Sequence, residues 1–392
     1  MGGRHYNLAR ELAKQGYKVY LVAASYTHIL REPPKVGHSY EVQTMEGFNF
    51  VWVKMPRYDN AHSKIRIFSW FWFAWKLRGL VSVIADKPDA ILYSSPALVG
   101  FLGVKYLSNE YPDARLVFEV RDIWPLTLVE LGGYSPKHPF IRLLQWIEDK
   151  AYRDSDRVVS NLQNAVEHMV SRGMDEAKFS WVPNGFSMDE VTQKQGLPEA
   201  VLSQLPKDKF VVGYTGTLGV ANALDSLIEA AEKLKDQPAI AFVLVGAGKE
   251  KTRLEALVAK KKLTNVSFID PIPKAQIQSM LAQFDVCFIG LTKDPLFRFG
   301  VSPNKLFDYL YSGSPILYAI ESGSYTPIID AGAGFQITSE DSQAISEAVL
   351  QLYSIPKAGR EIMGANGYRY VLANHEYGAL AGKLADVLVG NI

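Results

Sequence analysis

The residue types best suited to phosphate chemistry lie close together in one stretch, FRFGVSPNKLFDYLYSGSP (297–315). Its pattern predicts a loop followed by a helix, with Ser302 as the N-cap and Pro303 at the first helical position. The start of such a helix offers unpaired N–H groups and the positive end of the helix dipole, and Lys305 adds a charge there. One turn further on, Asp308 could accept hydrogen bonds from a sugar diol. The same pattern also fits a surface helix whose charges are only solvated.

The remainder of this predicted helix carries its own packing and stop signals. Leu306, Phe307 and Leu310 can share one face and pack inward. Gly313 suits the first position after the helix, and Pro315 prevents the helix from continuing. The stretch is therefore expected to form a short helix between two well-marked ends.

Two glycine-rich loops follow apolar runs that are typical of strands. Residues 213–219 (GYTGTLG) precede a predicted helix that Asn222 can cap, with Asp225 three residues on as in a capping box. Residues 245–248 (VGAG) form the second loop, and neither loop has the G-x-G-x-x-G spacing of a dinucleotide site. A tight turn would explain either loop alone. Because ligands of open α/β sheets bind at the C-terminal ends of strands, these loops and residues 297–304 together favour a phosphate site.

A charged pair, Arg121 and Asp122, follows the apolar run 115–120 directly and precedes a Trp-Pro dipeptide. At the C-terminal end of a strand, such a pair would face a cleft between two domains and contact a ligand there. A purely structural ion pair is the alternative interpretation.

No pattern in the chain predicts a metal or a resident cofactor. Asp154-Ser155-Asp156 resembles a D-x-D metal signature, but it lies at a predicted helix-to-strand turn, where Asp156 is expected to act as a turn or cap residue. The seven histidines show no metal-ligand spacing. The one cysteine, Cys287, lies in an apolar run and is expected to be buried, which fits a reducing compartment.

Residues 64–84 (KIRIFSWFWFAWKLRGLVSVI) form an aromatic stretch with basic flanks. The stretch is too short and too charged to span a bilayer, yet aromatic side chains beside lysine and arginine suit the surface of an anionic membrane. Six basic residues and one acid, Asp59, lie between residues 54 and 80. The alternative is a helix packed on a sheet. The predicted membrane contacts are Trp70, Phe71, Trp72, Trp75, Lys76 and Arg78.

Composition describes a folded protein of two or three domains. The chain has 392 residues, of which 48% are hydrophobic and 21% are charged. A net charge of +1 gives no general attraction for nucleic acid, so no nucleic-acid partner is expected. The polar, helix-like start of the chain does not resemble a secretory signal peptide.

Strand-like runs alternate with helical patterns along most of the chain, which predicts an α/β protein with two doubly wound parallel sheets. The predicted strands are 18–24, 48–55, 90–95, 115–120, 157–162, 179–183, 209–215, 240–246, 265–269, 285–290 and 315–319. The first helix, 5–15, opens on Gly2-Gly3, a pair that ordinarily follows a strand. We therefore expect that a central strand of the first sheet is missing from this chain.

A polar stretch marks the predicted domain boundary. Residues 1–186 are expected to form the N-terminal domain, 187–208 a linker, and 209–371 the C-terminal domain. Residues 372–392 are expected to form a C-terminal helix that returns toward the N-terminal domain.

The ordered set of motifs resembles retaining glycosyltransferases of the GT-B fold, family 4, and more narrowly the WbuB-type branch that builds bacterial O-antigen and capsule repeats. The motifs run through nearly the whole chain: GGRHYNLARELAKQGYKVYLV, FEVRDIWP, IEDKAYRDSDRVVS, VPNGF, GYTGTLG, FVLVGAGKE and SPNKLFDYLYSGSP. The chain departs from the broad family where an acid is replaced by Gly300 and where phosphate-binding cations are replaced by Thr217 and Asn222. The resemblance then implies that Arg298 and Lys305 carry the charge.

This resemblance implies roles for particular residues. Those expected to bind the donor are Gly216, Thr217, Asn222, Gly246, Ile272, Ser302, Asn304 and Asp308. Those expected to bind the acceptor are Gly3, His5, Arg121 and Asn184, and those expected to act in catalysis are Arg298, Lys305 and Asp122.

The implied reaction moves a sugar from a nucleotide-diphosphate donor to a saccharide on a polyprenyl diphosphate, with retention and without a metal. An N-acetylated amino-deoxy sugar fits the branch that the motifs resemble. The protein would then be peripheral on the cytoplasmic face of the cell membrane. Two alternatives stay open at this point: a UDP-sugar 2-epimerase of the same fold, and a non-catalytic subunit that binds a sugar nucleotide or a lipid.

Overall fold

The computed structural model describes residues 3–27, 30, 32–58 and 64–390, so that Gly2 and Asp59 lie outside the described residues. The chain divides into two compact units. The first unit contains residues 1–184 and 377–392, and the second unit contains residues 185–376.

Strands and helices alternate through both units. The strands are β1 (Tyr20–Ala24), β2 (Tyr40–Met45), β3 (Phe48–Val53), β4 (Ala90–Ser94), β5 (Arg115–Val120), β6 (Arg157–Ser160), β7 (Phe179–Trp181), β8 (Phe210–Thr215), β9 (Ile240–Val245), β10 (Val266–Ile269), β11 (Val286–Gly290), β12 (Ile316–Ala319) and β13 (Gly334–Ile337). The helices are α1 (Arg4–Lys14), α2 (Lys64–Leu77), α3 (Gly100–Glu110), α4 (Leu126–Glu130), α5 (Pro139–Asp154), α6 (Ala165–Ser171), α7 (Met188–Thr192), α8 (Glu199–Leu202), α9 (Leu224–Lys233), α10 (Lys251–Lys260), α11 (Ile277–Leu281), α12 (Asn304–Ser312), α13 (Pro327–Ala331), α14 (Ser342–Ser354), α15 (Lys357–His375) and α16 (Tyr377–Val389).

The second unit is built on a six-stranded sheet in the order β10-β9-β8-β11-β12-β13. Its strand pairings are parallel. Every residue of β8, β9 and β11 is buried, because helices cover both faces of a sheet whose central strands are continuous apolar runs. The C-terminal ends of these strands carry the glycine-rich loops. This arrangement confirms the predicted α/β architecture.

The first unit contains two sheets in the described residues. One has the order β1-β3-β2 and the other the order β4-β5-β6-β7. The pairing of β1 with β3 and the pairings within the second sheet are parallel, whereas β2 runs antiparallel to β3. A tight turn joins β2 to β3, with positive φ angles at Glu46 (43°) and Gly47 (89°), as two-residue hairpin turns require.

The differences from the sequence-based expectations include two strands and the boundary between the last two helices. The sequence analysis predicted neither β2, whose alternating polar residues bury little, nor the four-residue edge strand β13. It predicted one helical tail from residue 372, whereas α15 ends at His375 and α16 begins at Tyr377. The break occurs because Glu376 is extended and forms a bridge with Phe186, whose N–H donates to the carbonyl of His375 at 3.0 Å.

Helix α16 packs on the first unit. Leu380 and Leu384 share an apolar cluster with Leu8 and Leu12 of α1. The guanidinium of Arg115 also donates to the carbonyls of Val387 and Gly390, at 2.9 and 3.0 Å. These contacts place the last helix among the elements that support α1.

Helices that are both long enough and apolar enough to cross a bilayer do not occur in the described parts of the chain.

Candidate functional site

Helix α12 begins one residue later than predicted. The N-cap is Pro303, whose extended backbone (φ −69°, ψ 127°) excludes it from the helix and whose carbonyl accepts from the N–H of Leu306 at 3.0 Å. The predicted N-cap at Ser302 is therefore wrong, because that residue precedes the cap. The side chain of Pro303 makes no capping hydrogen bond to α12. The N–H groups of its first turn lack intrahelical acceptors and form a potential anion site.

The rest of α12 confirms the expected packing. Leu306, Phe307 and Leu310 are fully buried, and Gly313 ends the helix in the left-handed conformation at φ 76°. Tyr309 adds a contact that sequence reasoning missed. Its buried Oη accepts from the N–H of Thr215 at 2.7 Å and donates to the carbonyl of the same residue at 3.1 Å. These bonds fasten α12 to the C-terminal end of β8.

Lys305 projects from the first turn of α12 toward the loop after β8. Its Nζ donates to Tyr214 Oη and to Asn222 Oδ1, both at 2.8 Å, and lies 4.3 Å from the centre of the Tyr214 ring. Burial lowers the pKa of Lys305 to about 7, and no carboxylate in the described residues offsets that effect. The amine is thus partly desolvated among neutral partners, which is a favourable environment for an incoming anion.

Asn222 does not cap α9, so this part of the sequence-based prediction is wrong. The N-cap of α9 is Ala223 (φ 48°), and Asn222 belongs to the preceding turn. Its Nδ2 donates to the Thr217 carbonyl at 3.0 Å, so the side chain links the glycine-rich loop to the amine of Lys305. The predicted capping box is also wrong, because both carboxylate oxygens of Asp225 accept from Arg253 at 2.7 Å.

The two glycine-rich loops pack backbone against backbone. A Cβ on Gly246 (φ 149°) would lie 1.9 Å from the Gly216 carbonyl oxygen, and one on Gly248 would lie 2.0 Å from that of Leu218. At Gly216 (φ 142°), a Cβ would lie 3.4 Å from Lys305 Nζ. Glycine is therefore required for the close approach of these loops, and it leaves the backbone next to the amine uncovered.

Asp308 lies one turn after Lys305 and is half-buried. Burial raises the pKa of Asp308 to about 6, while the charge of Lys274 acts in the opposite direction and that of Glu190 adds to the increase. Residues three apart occupy the same flank of a helix. Lys305 and Asp308 therefore lie on the same flank of α12.

The second unit also contains Asn304, Ile272 and Arg298, which were predicted to bind the donor or to act in catalysis. Asn304 is exposed at the first position of α12, and Ile272 is half-buried beside the core of the second unit. Arg298 lies in the turn Pro295–Phe299, where its guanidinium is 4.2 Å from the centre of the Phe299 ring and donates to the Pro295 carbonyl.

The residues predicted to bind the acceptor lie in the first unit. Gly3 is the N-cap of α1 at φ 113°, and His5 is the second residue of that helix. The N–H of Arg121 donates to Ser95 Oγ at 2.8 Å, and among the described residues Arg121 Nε is buried without a hydrogen-bond partner. Asp122 is exposed directly after it, and Asn184 is half-buried.

Sequence reasoning missed a buried charged cluster in this unit. Glu119, at 1% exposure, accepts from Arg4 Nε at 2.8 Å and contacts His5 Nε2 and Ser94 Oγ at 2.6 Å each. Burial alone would raise the pKa of Glu119, but Arg4, His5 and Ser94 hold it well below its ordinary value. The signal in the sequence was the single acid in the apolar run LVFEV.

The D-x-D-like segment has structural partners. Asp156 Oδ2 accepts from the N–H of Leu116 at 2.7 Å, while Asp154 pairs with Lys150 at 2.5 Å and with Arg153 at 3.0 Å. Asp156 is therefore a turn residue, as expected. Within the described ranges, no group of three or more His, Cys, Asp or Glu residues could hold a metal ion.

Helix α2 exposes part of its aromatic surface. The side chains of Phe68, Phe71 and Trp75 are 56%, 42% and 55% exposed. Lys76 Nζ lies 5.3 and 5.1 Å from the ring centres of Trp72 and Trp75, and the guanidinium of Arg78 lies 4.0 Å from the Tyr106 ring. Trp70 instead packs inside the unit, with its ring centre 5.8 Å from Trp124 and 6.1 Å from Phe140.

Comparison with known proteins identifies the family type. Residues 4–190 match the model of Glycosyltransferase Family 4, and residues 201–370 match the model of Glycosyl transferases group 1. A protein of Escherichia coli K12 that carries the name colanic acid biosynthesis glycosyl transferase WcaI is 25% identical over 284 residues, covering 69% of this chain and 68% of the relative.

Solved structures share the fold. Sucrose-phosphate synthase from Thermosynechococcus elongatus superposes with a TM-score of 0.68 at 17% identity, covering 98% of this chain and 92% of the other. Anabaena HepE in complex with UDP superposes with a TM-score of 0.61 at 18% identity, covering 81% of this chain and 82% of the other. The chain is therefore a glycosyltransferase of the group 1 and family 4 type, with the GT-B fold.

Proposed function

We propose that the second unit binds a nucleotide-diphosphate sugar and that the enzyme transfers the sugar with retention to a lipid-linked saccharide. The observation that carries this proposal is the environment of Lys305. Its amine is surrounded by neutral partners, beside the uncovered backbone of Gly216 and at the start of α12. A diphosphate would supply the missing counter-charge and would accept hydrogen bonds from the first turn of α12.

In the proposed reaction, the bond between the anomeric carbon and the diphosphate breaks as positive charge develops on the sugar. Lys305, the first-turn N–H groups of α12 and Arg298 stabilise the negative charge that grows on the leaving diphosphate. The leaving phosphate oxygen takes the proton of the acceptor hydroxyl, which attacks from the same face of the sugar. Asp308 accepts hydrogen bonds from the ribose, while Gly216, Thr217, Asn222, Gly246, Ile272, Ser302 and Asn304 complete the donor site.

The donor is proposed to be a UDP-linked sugar. The HepE structure that superposes on this chain contains UDP. Resemblance to the WbuB-type branch favours an N-acetylated amino-deoxy sugar. The family's acid near the sugar is replaced here by Gly300 (φ 96°), so in the proposed complex Asp308 is the acid that remains at this end of α12.

Replacing Lys305 by Ala tests the donor site. Loss of the charge that meets the diphosphate should raise the activation barrier by roughly 2–4 kcal/mol, so kcat falls steeply. The matched control is Lys260→Ala, an exposed lysine of α10 that should leave turnover intact. Initial rates with UDP-sugars and a lipid-linked acceptor give the comparison. A kcat for Lys305→Ala equal to that of the control would refute the role.

The acceptor is proposed to be a saccharide on polyprenyl diphosphate at the cytoplasmic face of the membrane. Gly3, His5, Arg121, Asp122 and Asn184 would bind its sugar. The name of WcaI connects that relative with the synthesis of a polysaccharide. The first unit also exposes three large aromatic side chains of α2, on the helix that carries Lys76 and directly precedes Arg78, a combination that suits an anionic lipid surface.

Vesicle flotation tests membrane contact. A triple variant, Phe68→Ser with Phe71→Ser and Trp75→Ser, should bind phosphatidylglycerol vesicles at least about tenfold more weakly because three apolar anchors are lost. Trp146→Ser is the matched control, since this exposed tryptophan lies on α5 of the same unit. Equal flotation of both variants would show that the α2 surface does not mediate binding. Trp70 is left unchanged because it packs within the unit.

A further inference from the structure

The buried carboxylate of Glu119 has three side-chain partners, which are divided between its two oxygens. Oε1 accepts from Arg4 Nε at 2.8 Å, while Oε2 contacts both His5 Nε2 and Ser94 Oγ at 2.6 Å. Arg4 also donates to the carbonyls of Val182, at 2.7 Å, and Pro183. Arg4 is therefore fully committed to buried acceptors, whereas His5 reaches the surface.

The proton on the His5 ring is fixed by this arrangement. An ionised carboxylate only accepts hydrogen bonds, so Nε2 of His5 must carry the proton that is shared with Glu119. In the neutral imidazole, Nδ1 then has a free lone pair and can only accept. A ligand group that donates a hydrogen bond, such as a hydroxyl, is the complement of that nitrogen.

His5 is more exposed than the carboxylate to which it is bound. Its side chain is 30% exposed, whereas the side chain of Glu119 is 1% exposed. Glu119 precedes Arg121 by two residues at the C-terminal end of β5. The ring therefore lies at the same sheet edge as the Arg121–Asp122 pair, where Arg121 Nε is buried without a partner among the described residues.

We propose that Glu119 is a positioning residue that holds His5 with its Nδ1 free to accept a hydrogen bond from an acceptor hydroxyl. This assignment rests on the proposed sugar transfer, in which the first unit binds the acceptor. A purely structural role for Glu119 would need only its ion pair with Arg4. The second pair of contacts, from Oε2 to His5 and Ser94, is the part that the ion pair leaves unexplained.

The substitution Glu119→Gln separates these two roles. The single amide oxygen would accept from Arg4, so that the amide NH₂ would face His5 Nε2 and donate to it. The ring proton must then move to Nδ1, which becomes a donor and no longer accepts from a hydroxyl. Long-range ¹H–¹⁵N spectra of the free protein, recorded at about pH 8 where histidine is ordinarily neutral, report the tautomer directly.

We expect Nε2–H in the wild type and Nδ1–H in Glu119→Gln, with the KM for the acceptor raised about tenfold, the factor that one neutral hydrogen bond supplies. The KM for the donor should be unchanged. Ser94→Ala, which removes one contact to Oε2 and spares the Arg4 pair, should retain the wild-type tautomer. A wild-type ring protonated on Nδ1, or an unaltered acceptor KM in Glu119→Gln, would overturn the proposal.

His5→Phe provides a second route if Glu119→Gln fails to fold, because it leaves the Arg4–Glu119 pair intact. The phenyl ring occupies the space of the imidazole but has no nitrogen that could accept a hydrogen bond from a hydroxyl, so the acceptor KM must rise. A normal acceptor KM in this variant would refute the proposal. The tautomer is measured without substrate, whereas a wild-type enzyme that transfers no sugar would refute the proposed function itself.

Discussion

The two units each contain a desolvated cation, and the two cations differ in their partners. Arg4 in the first unit is paired with a buried carboxylate and two backbone carbonyls. Among the described residues, the amine of Lys305 in the second unit donates hydrogen bonds only to a phenol oxygen and an amide oxygen. A cation with its own counter-ion organises the fold around it. A buried cation without a counter-ion destabilises the free protein. The binding of an anion then stabilises the folded state most at such a cation.

The largest loss of stability is expected when the ion pair between Arg4 and Glu119 in the first unit is broken. Arg4→Met leaves the charge of Glu119 buried and unpaired, which should lower the free energy of unfolding by about 3–5 kcal/mol. The double variant Arg4→Met with Glu119→Gln removes both charges and should recover most of that loss. Urea denaturation measures the free energy of unfolding of the single and the double variant. Equal stability of wild type and Arg4→Met would mean that Arg4 is not the organising cation described here.

A smaller change in stability is expected from the titration of Lys305, and it depends on pH. Because the folded-state pKa of about 7 lies below the ordinary lysine value of 10.5, the unfolded chain binds more protons between these two values. Stability should therefore rise with pH from about 7 to 10.5. The gain is on the order of 2 kcal/mol, less than the full shift implies, since the amine is partly solvated.

Lys305→Met removes this titration and sharpens the contrast with Arg4. The free variant should be at least as stable as the wild type at neutral pH, and the difference between the two should shrink as the pH rises. Thermal unfolding of both proteins across this pH range, without nucleotide, measures the difference in stability. A Lys305→Met protein that is less stable than the wild type at pH 7 would show that the amine already has a favourable partner.

The smallest effect concerns the backbone beside Lys305. Gly216→Ala adds a Cβ at a positive φ, 3.3 Å from Tyr214 Oη and 3.4 Å from Lys305 Nζ, and should cost about 1 kcal/mol of stability. Gly219→Ala is the matched control in the same loop, because its φ of −134° suits any residue and its nearest atom would be 3.6 Å away. Chemical denaturation should separate the two variants. Equal losses of stability in Gly216→Ala and Gly219→Ala would show that the loop adjusts freely around the amine of Lys305.

Local patterns predicted the second unit well. The apolar runs that form β8, β9 and β11 and the inward face of α12 depend on residues close together in the chain, so periodicity was sufficient to find them. The end of α12 at Gly313 was equally local, since a left-handed residue after a helix favours glycine.

Helix starts were predicted less accurately. An N-cap is defined by its backbone angles, and these depend on contacts that the sequence does not reveal. Pro303 is extended and takes the place expected for Ser302. Asn222 turns toward Lys305, 83 residues further along the chain, in place of capping α9. Residue type alone could not distinguish these outcomes.

The charged cluster of the first unit was missed for a related reason. Arg4 and Glu119 are 115 residues apart, and Arg4 and Val182 are 178 apart, so no local pattern joins them. A charged residue in an otherwise apolar strand was the available signal, and it indicated burial without naming a partner. Family resemblance predicted His5 as an acceptor contact, but sequence reasoning did not find Glu119, the carboxylate that His5 contacts.

The attachment of α12 to β8 has an evolutionary consequence. Tyr309 bonds to both backbone groups of Thr215, so a shift of the helix by one residue would break both bonds at once. The register of α12, and with it the location of the Lys305 amine, is therefore set from within the helix. In the proposed enzyme, selection for a new donor sugar can therefore act on residues 291–297 without displacing that amine.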